Sequence, residues 1–199
     1  MQKSRRYWFR TLAGAAGLKC LGAGSPLFDG HTFDGWIQAG HGLWTIENEA
    51  ITGRSDPARP GPGYLMTKRE YDDFTLSLEF NVTRGGNSGI YVREPRREWG
   101  TKGDERPAHG AHPGYEVQID YNDPKNLTGA LYNVCKPSRL AGGEDRWNRM
   151  RIECAGPRIR VWVGRAGHGL QPVAAGKGCD RVPGSRAEGA RSRDPVPPH

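Results

Sequence analysis

Phe74-Thr75-Leu76-Ser77-Leu78-Glu79-Phe80-Asn81-Val82 alternates apolar and polar residues without a miss. Successive side chains of a β-strand point to opposite faces. Phe74, Leu76, Leu78, Phe80 and Val82 therefore line one face, expected to be the buried one, and Thr75, Ser77, Glu79 and Asn81 line the other. Working outward, residues 88–93, 115–120, 128–134, 149–154 and 158–163 also read as strands, separated by Gly, Pro, Asn and Asp. No window carries a 3.6-residue apolar stripe, although residues 68–72 could form a single helical turn. Many short strands with frequent turn residues predict an all-β sandwich over about 27–163.

The composition fits this reading and narrows the function. The chain has 199 residues, 35% hydrophobic, with 29 Gly and 15 Pro, the composition of one turn-rich domain with appendages. Its net charge is +7, but the positive charge sits at the two ends. Residues 1–24 hold five Lys/Arg and no acid, and residues 164–199 hold six Lys/Arg and three acids. The body between them carries 18 bases and 19 acids. Without a basic patch in the body, nucleic acid is not the expected partner. No run of 18 apolar residues exists, so no membrane-spanning helix is expected.

The N-terminus reads as an export signal. Ser4-Arg5-Arg6-Tyr7-Trp8-Phe9-Arg10 precedes a mildly apolar Gly/Ala-rich stretch, and Gly22-Ala23-Gly24 suits a signal-peptidase site. Paired arginines before aromatic residues resemble a twin-arginine leader. The expected boundaries are a leader over 1–24, a sandwich over 25–163 and a Gly/Pro/Arg-rich disordered tail over 164–199, and the expected location is the bacterial periplasm or outside the cell. Cys20, Cys135, Cys154 and Cys179 show no metal-ligand spacing. Cys135 and Cys154 could pair in an oxidising compartment or lie as buried apolar residues. No metal site and no cofactor are indicated.

Two strands put polar groups on one face. In Tyr115-Glu116-Val117-Gln118-Ile119-Asp120, alternation sends Glu116, Gln118 and Asp120 together. In Asn87-Ser88-Gly89-Ile90-Tyr91-Val92-Arg93, Asn87, Gly89, Tyr91 and Arg93 oppose Ile90 and Val92. With Glu79 added, this predicts one sheet face of carboxylates, amides, a tyrosine and an arginine, which could bind sugar hydroxyls. A solvated face with cross-strand ion pairs fits the same pattern. His41, and His109 and His112, lie in Gly/Pro-rich loops that could reach a rim.

Leu27-Phe28-Asp29-Gly30, Asp34-Gly35-Trp36, Gly63-Tyr64-Leu65, Tyr71-Asp72-Asp73-Phe74, the two polar-faced strands, Thr128-Gly129-Ala130-Leu131-Tyr132 and Trp147-Asn148 occur in an order that resembles the bacterial 3-keto-disaccharide hydrolase family. The resemblance covers about 26–163. It implies a concanavalin-like jelly roll that acts on a carbohydrate substrate, a 3-keto sugar. A C3 ketone acidifies the C2 hydrogen of a glycoside, so one base and one donor to the developing enolate oxygen suffice for elimination, after which water adds; direct hydrolysis is the alternative. Glu116 and Asp120, four residues apart on one strand, stand roughly 13 Å apart, beyond the roughly 5–9.5 Å of ordinary glycosidase pairs. Glu116 is the candidate base and Arg93 the candidate enolate or substrate stabiliser. Asn87, Tyr91, Gln118, Asp120 and Glu79 are candidate hydroxyl ligands. A carbohydrate-binding module without catalysis, or a surface interaction protein, remains open on the same fold.

After Val163 the chain departs from the family pattern. Residues 164–199 hold seven Gly, five Pro and no Phe, Trp or Tyr, which reads as disorder, either of a natural flexible tail or, as the favoured reading, of a frame shift or truncation. The sandwich is thus expected to be incomplete at its C-terminal end, with an unpaired edge, and the chain to be a poor enzyme.

Overall fold

A computed structural model describes residues 25–94 and 114–174, and residues 6–11 as backbone. The remaining leader and tail residues, His109 and His112 lie outside the described residues. The architecture is all-β and every strand pair is antiparallel. The strands are β1 (Arg6–Thr11), β2 (Trp36–Gly40), β3 (Gly42–Glu47), β4 (Ala50–Ser55), β5 (Gly63–Thr67), β6 (Phe74–Val82), β7 (Asn87–Val92), β8 (Tyr115–Asp120), β9 (Asn148–Ala155), β10 (Arg158–Arg165) and β11 (Gln171–Ala174). Seven form one sheet in the order β11-β10-β9-β6-β1-β4-β3; β2 pairs with β5 and β7 with β8.

The alternating strand behaves as its pattern requires. Leu78, Phe80 and Val82 are buried, and Phe74 and Leu76 pack partly buried against the same core. From β9 and β10 come Met150, Ile152, Ile159, Val161 and Val163, and from the β7–β8 layer come Val92, Val117 and Ile119. The core therefore lies between the large sheet and the β7–β8 pair. Each inward residue alternates with an outward one along its strand.

Three expectations change. Residues 128–134 form turns with isolated bridges at Leu131 instead of a strand, because their backbone bonds to β8 are interrupted by local turns. Residues 68–72 are bends, with no helical turn. The domain boundary expected at Val163 also moves outward: β10 runs to Arg165, and β11 pairs with it and buries Val173 completely. Part of the segment expected to be disordered is thus an edge strand, because one well-placed valine reaches a gap beside Gly129 and Val163.

Cys154 is free and buried, so the Cys135–Cys154 disulfide does not form. Residues 6–11, expected within the leader, form β1 between β4 and β6. No helix among the described residues is long and apolar enough to cross a membrane.

Candidate functional site

The site is built on the β7–β8 pair. Their register places Asn87 opposite Asp120, Gly89 opposite Gln118 and Tyr91 opposite Glu116. Since Ile90, Val92, Val117 and Ile119 face the core, alternation sends these six residues to the outer face. The far edge of β8 is held as well. Ala130 O accepts the Gln118 N–H at 2.9 Å, and Glu116 O accepts the Tyr132 N–H at 2.9 Å. The backbone bearing Glu116 is therefore hydrogen-bonded along both edges, which suits a side chain that must be held in position.

Tyr91 Oη donates to Glu116 Oε2 at 2.9 Å. Burial, and then the negative charge of Glu116, push the pKa of the Tyr91 phenol far above its ordinary value, so it stays protonated. Gly89 has a steric reason to be glycine: a Cβ there would collide with the Glu116 carboxylate, at 2.6 Å from Cγ and 2.8 Å from Cδ. The notch left by the missing side chain is where the Glu116 side chain lies. Tyr64, from β5, packs its ring edge-on to Tyr91, with centroids 5.8 Å apart and planes at 67°. On its other side β5 meets β3 through Gly63, where a Cβ would strike the Gly42 backbone. That close approach brings Tyr64 within reach of the β7–β8 layer.

Gln118 and Asn87 form an amide pair, Gln118 Nε2 donating to Asn87 Oδ1 at 3.2 Å. Gln118 is 1% exposed, and its Oε1 is buried without a hydrogen-bond partner. An unpaired buried acceptor is costly, so this oxygen is a strained point of the face. Asp120 has a different task. Its Oδ1 accepts the Asn122 N–H at 2.7 Å and the Asp123 N–H at 3.4 Å, capping the turn after β8. It lies on the predicted face, but its carboxylate is engaged in holding that turn.

Two predicted residues leave the face. Arg93 follows the last residue of β7 with φ of 55°, and this left-handed step breaks the alternation. Its guanidinium pairs with Asp73 Oδ1 at 3.0 Å, and Asp73 also accepts the Gly156 N–H at 2.9 Å. Arg93 thus ties the end of β7 to the start of β6 and to the β9–β10 turn, and its ion pair is with Asp73 rather than Glu116. Glu79 is on the correct side of its own strand but on the wrong side of the molecule. It alternates with Leu78 and Phe80, which face the core from the large sheet, so it lies on the outer face opposite to that of Glu116. There it is buried beside Arg149, with Nη2 to Oε1 at 3.7 Å.

Sequence reasoning missed Tyr64 and Glu94. Tyr64 stood within a family-like motif without a role, and its contact with Tyr91 is a matter of layer packing. Glu94 Oε2 accepts the Gly114 N–H at 2.9 Å, joining the two ends of the segment between β7 and β8. His41 Nδ1 lies 3.1 Å from Pro60 O. Among the described residues no group of three His, Cys, Asp or Glu gathers as metal ligands would. The arrangement offers a carboxylate base bonded to a proton donor, beside amide groups able to bind hydroxyls.

Comparison with known proteins gives the family and the fold. Residues 24–165 match the family model described as a 3-keto-alpha-glucoside-1,2-lyase-like domain. A 3-keto-disaccharide hydrolase of Bacteroides thetaiotaomicron is 32% identical over 146 residues, which is 63% of this chain and 50% of the relative. The chain thus spans about half the length of that curated relative. A solved structure of a candidate glycosyl hydrolase from Parabacteroides distasonis superimposes with a TM-score of 0.56 at 18% identity, covering 75% of this chain and 69% of that one. This likeness shows the shared sandwich fold. With its model matched over most of the chain, the protein belongs to the family of 3-keto-alpha-glucoside-1,2-lyase-like domains.

Proposed function

We propose that this domain cleaves 3-keto-glycosides, 3-keto-disaccharides among them, with Glu116 removing the C2 proton. The observation that carries this reading is the Glu116–Tyr91 pair on the outer face of β7–β8, in a chain of this family. Proton removal leaves an enolate on C2–C3. Its electrons then form the C1=C2 bond as the C1–O bond breaks, and the anomeric substituent departs with a proton. Addition of water to the unsaturated ketone gives the free 3-keto sugar, so the net reaction is hydrolysis. The amide pair Gln118–Asn87 lies on the same face as a polar neighbour of the base.

The test is to incubate the full chain with a 3-keto-disaccharide and follow release of the second sugar, then repeat with Glu116→Gln. Turnover lost with binding retained supports the reading. Binding without turnover in the unaltered chain would instead favour a carbohydrate-binding module, for which the same amide pair also speaks.

The paired arginines Arg5-Arg6 support passage across a bacterial inner membrane. Fractionation of an expressing bacterium tests this, since Arg5→Lys with Arg6→Lys should retain the chain in the cytoplasm. A periplasmic location unaffected by that change would argue against the twin-arginine route.

A further inference from the structure

We infer that Tyr91 is a catalytic residue in its own right, the donor that protonates the O3 oxygen of the substrate as Glu116 removes the C2 proton. This rests on the 3-keto-glycoside reading of the site and extends it from a lone base to a self-resetting pair.

Once Arg93 is committed to Asp73, the enolate needs another donor. Of the residues that share the register, Asn87, Gln118 and Asp120 offer amides or an acceptor carboxylate, and Gly89 offers no side chain. Tyr91 carries a hydroxyl whose proton can be transferred, and that proton already points at the base, 2.9 Å from Glu116 Oε2. The other carboxylate oxygen leans over Gly89. A base oxygen and a donor hydroxyl thus lie side by side, which matches the adjacency of C2–H and the C3 carbonyl in the substrate. The Tyr64 ring packed edge-on against Tyr91 restricts the phenol to this orientation.

The proton balance closes within the pair. The C2–H bond breaks and its proton goes to Glu116, while the electron pair moves into C2=C3. The carbonyl oxygen takes the Tyr91 proton and becomes the enol. Protonated Glu116 then returns its proton to the Tyr91 phenolate, and both groups are as they began. In the next step the enol O–H proton passes to the departing anomeric oxygen, C3=O re-forms, C1=C2 forms and the C1–O bond breaks.

Charge coupling gives the sequence of events a direction. Tyr91 is hard to ionise because it is buried and because Glu116 beside it is negative. When Glu116 gains the C2 proton, that negative charge disappears and one of the causes that hold the phenol proton is removed, while burial, the larger cause, remains. Tyr64 and Glu94 also raise the Tyr91 pKa, and neither changes charge in this step.

The experiment uses a 3-keto sugar lacking the anomeric oxygen, so that enolisation can proceed but cleavage cannot, and follows exchange of its C2 hydrogen with deuterated water by proton NMR. The unaltered chain should exchange it, and Glu116→Gln should not. Tyr91→Phe should slow both this exchange and disaccharide cleavage by the same factor, on the order of 10²–10⁴. Exchange at the unaltered rate in Tyr91→Phe, or cleavage slowed while exchange is not, overturns the proposal and leaves the Glu116 reading standing. No exchange and no cleavage by the unaltered chain would remove both. If Tyr91→Phe does not melt as a folded protein, 3,5-difluorotyrosine at position 91 keeps the shape and makes the phenol a stronger donor. Faster exchange then supports the donor role, and an unchanged or lower rate overturns it.

Discussion

Glu79 and Glu116 occupy equivalent places in their strands yet lie in opposite outer faces of the sandwich. Each alternates with core residues, Phe80 in one case and Val117 in the other. On the large sheet the flanking strand β9 brings Arg149 directly opposite Glu79, and the carboxylate is buried beside that guanidinium. On the small layer the directly opposed residue is Tyr91, and the carboxylate accepts a neutral phenol proton while remaining partly open to solvent. A carboxylate opposite a phenol has a proton donor beside it. The cross-strand partner, more than the residue type, separates the structural glutamate from the candidate base.

The sharpest way to break this comparison is to neutralise each glutamate in turn. Glu116→Gln is expected to lower 3-keto-glycoside turnover on the order of 10²–10⁴-fold with little change in the melting temperature. Similar activity in both chains would dissolve the contrast. Next, Gly89→Ala should lower turnover up to roughly 10²-fold through displacement of the Glu116 carboxylate. The stability cost should be small, since the clash is with a flexible side chain; kinetics alongside urea unfolding separates the two effects. Glu79→Gln should reverse that pattern, with turnover nearly intact and stability lower by about 1–3 kcal/mol. Loss of activity at full stability in this variant would put Glu79 back among the functional residues.

The smallest effect lies in a turn remote from both faces. Asp29 accepts the backbone N–H groups of Thr32 and His31, at 2.8 Å each, and the Thr32 hydroxyl at 2.7 Å. These bonds lower its pKa from 3.8 to about 2, the Thr32 N–H contributing most. Since the folded value is depressed, the stabilisation is complete above the unfolded value of 3.8 and fades as pH falls toward about 2. The Thr32 amide resonance should move with a midpoint near 2, whereas a midpoint near 3.8 would mean that the turn does not hold the anion.

What the sequence disclosed follows from how local each feature is. Strict alternation in 74–82 and in the two polar-faced strands fixed their inward and outward sets, because a strand's faces depend on its own residues. Alternation within a strand is silent about which layer the strand joins, and for that reason Glu79 was grouped with Glu116. It is equally silent about where a strand stops. One left-handed residue at Arg93 rotates the next side chain away, and Asp73, twenty residues earlier, draws it off. Tyr64 was hidden because its partner comes from another sheet. β11 escaped notice because a four-residue strand with a single buried valine has no pattern to show.

Strand β1 gives the molecule an unusual order of assembly. Four backbone pairings tie it to β4 and five tie it to β6, and it is the one strand joining β3–β4 to the rest of the large sheet. β1 therefore has to wait until Val82 has been made before its second edge can close. Contacts so distant along the chain are slow to form, since loop entropy is lost before the pairing is gained. Any factor that grips Arg6–Thr11 competes with both ladders at once, and its success would part the large sheet at its middle rather than fray it from an edge.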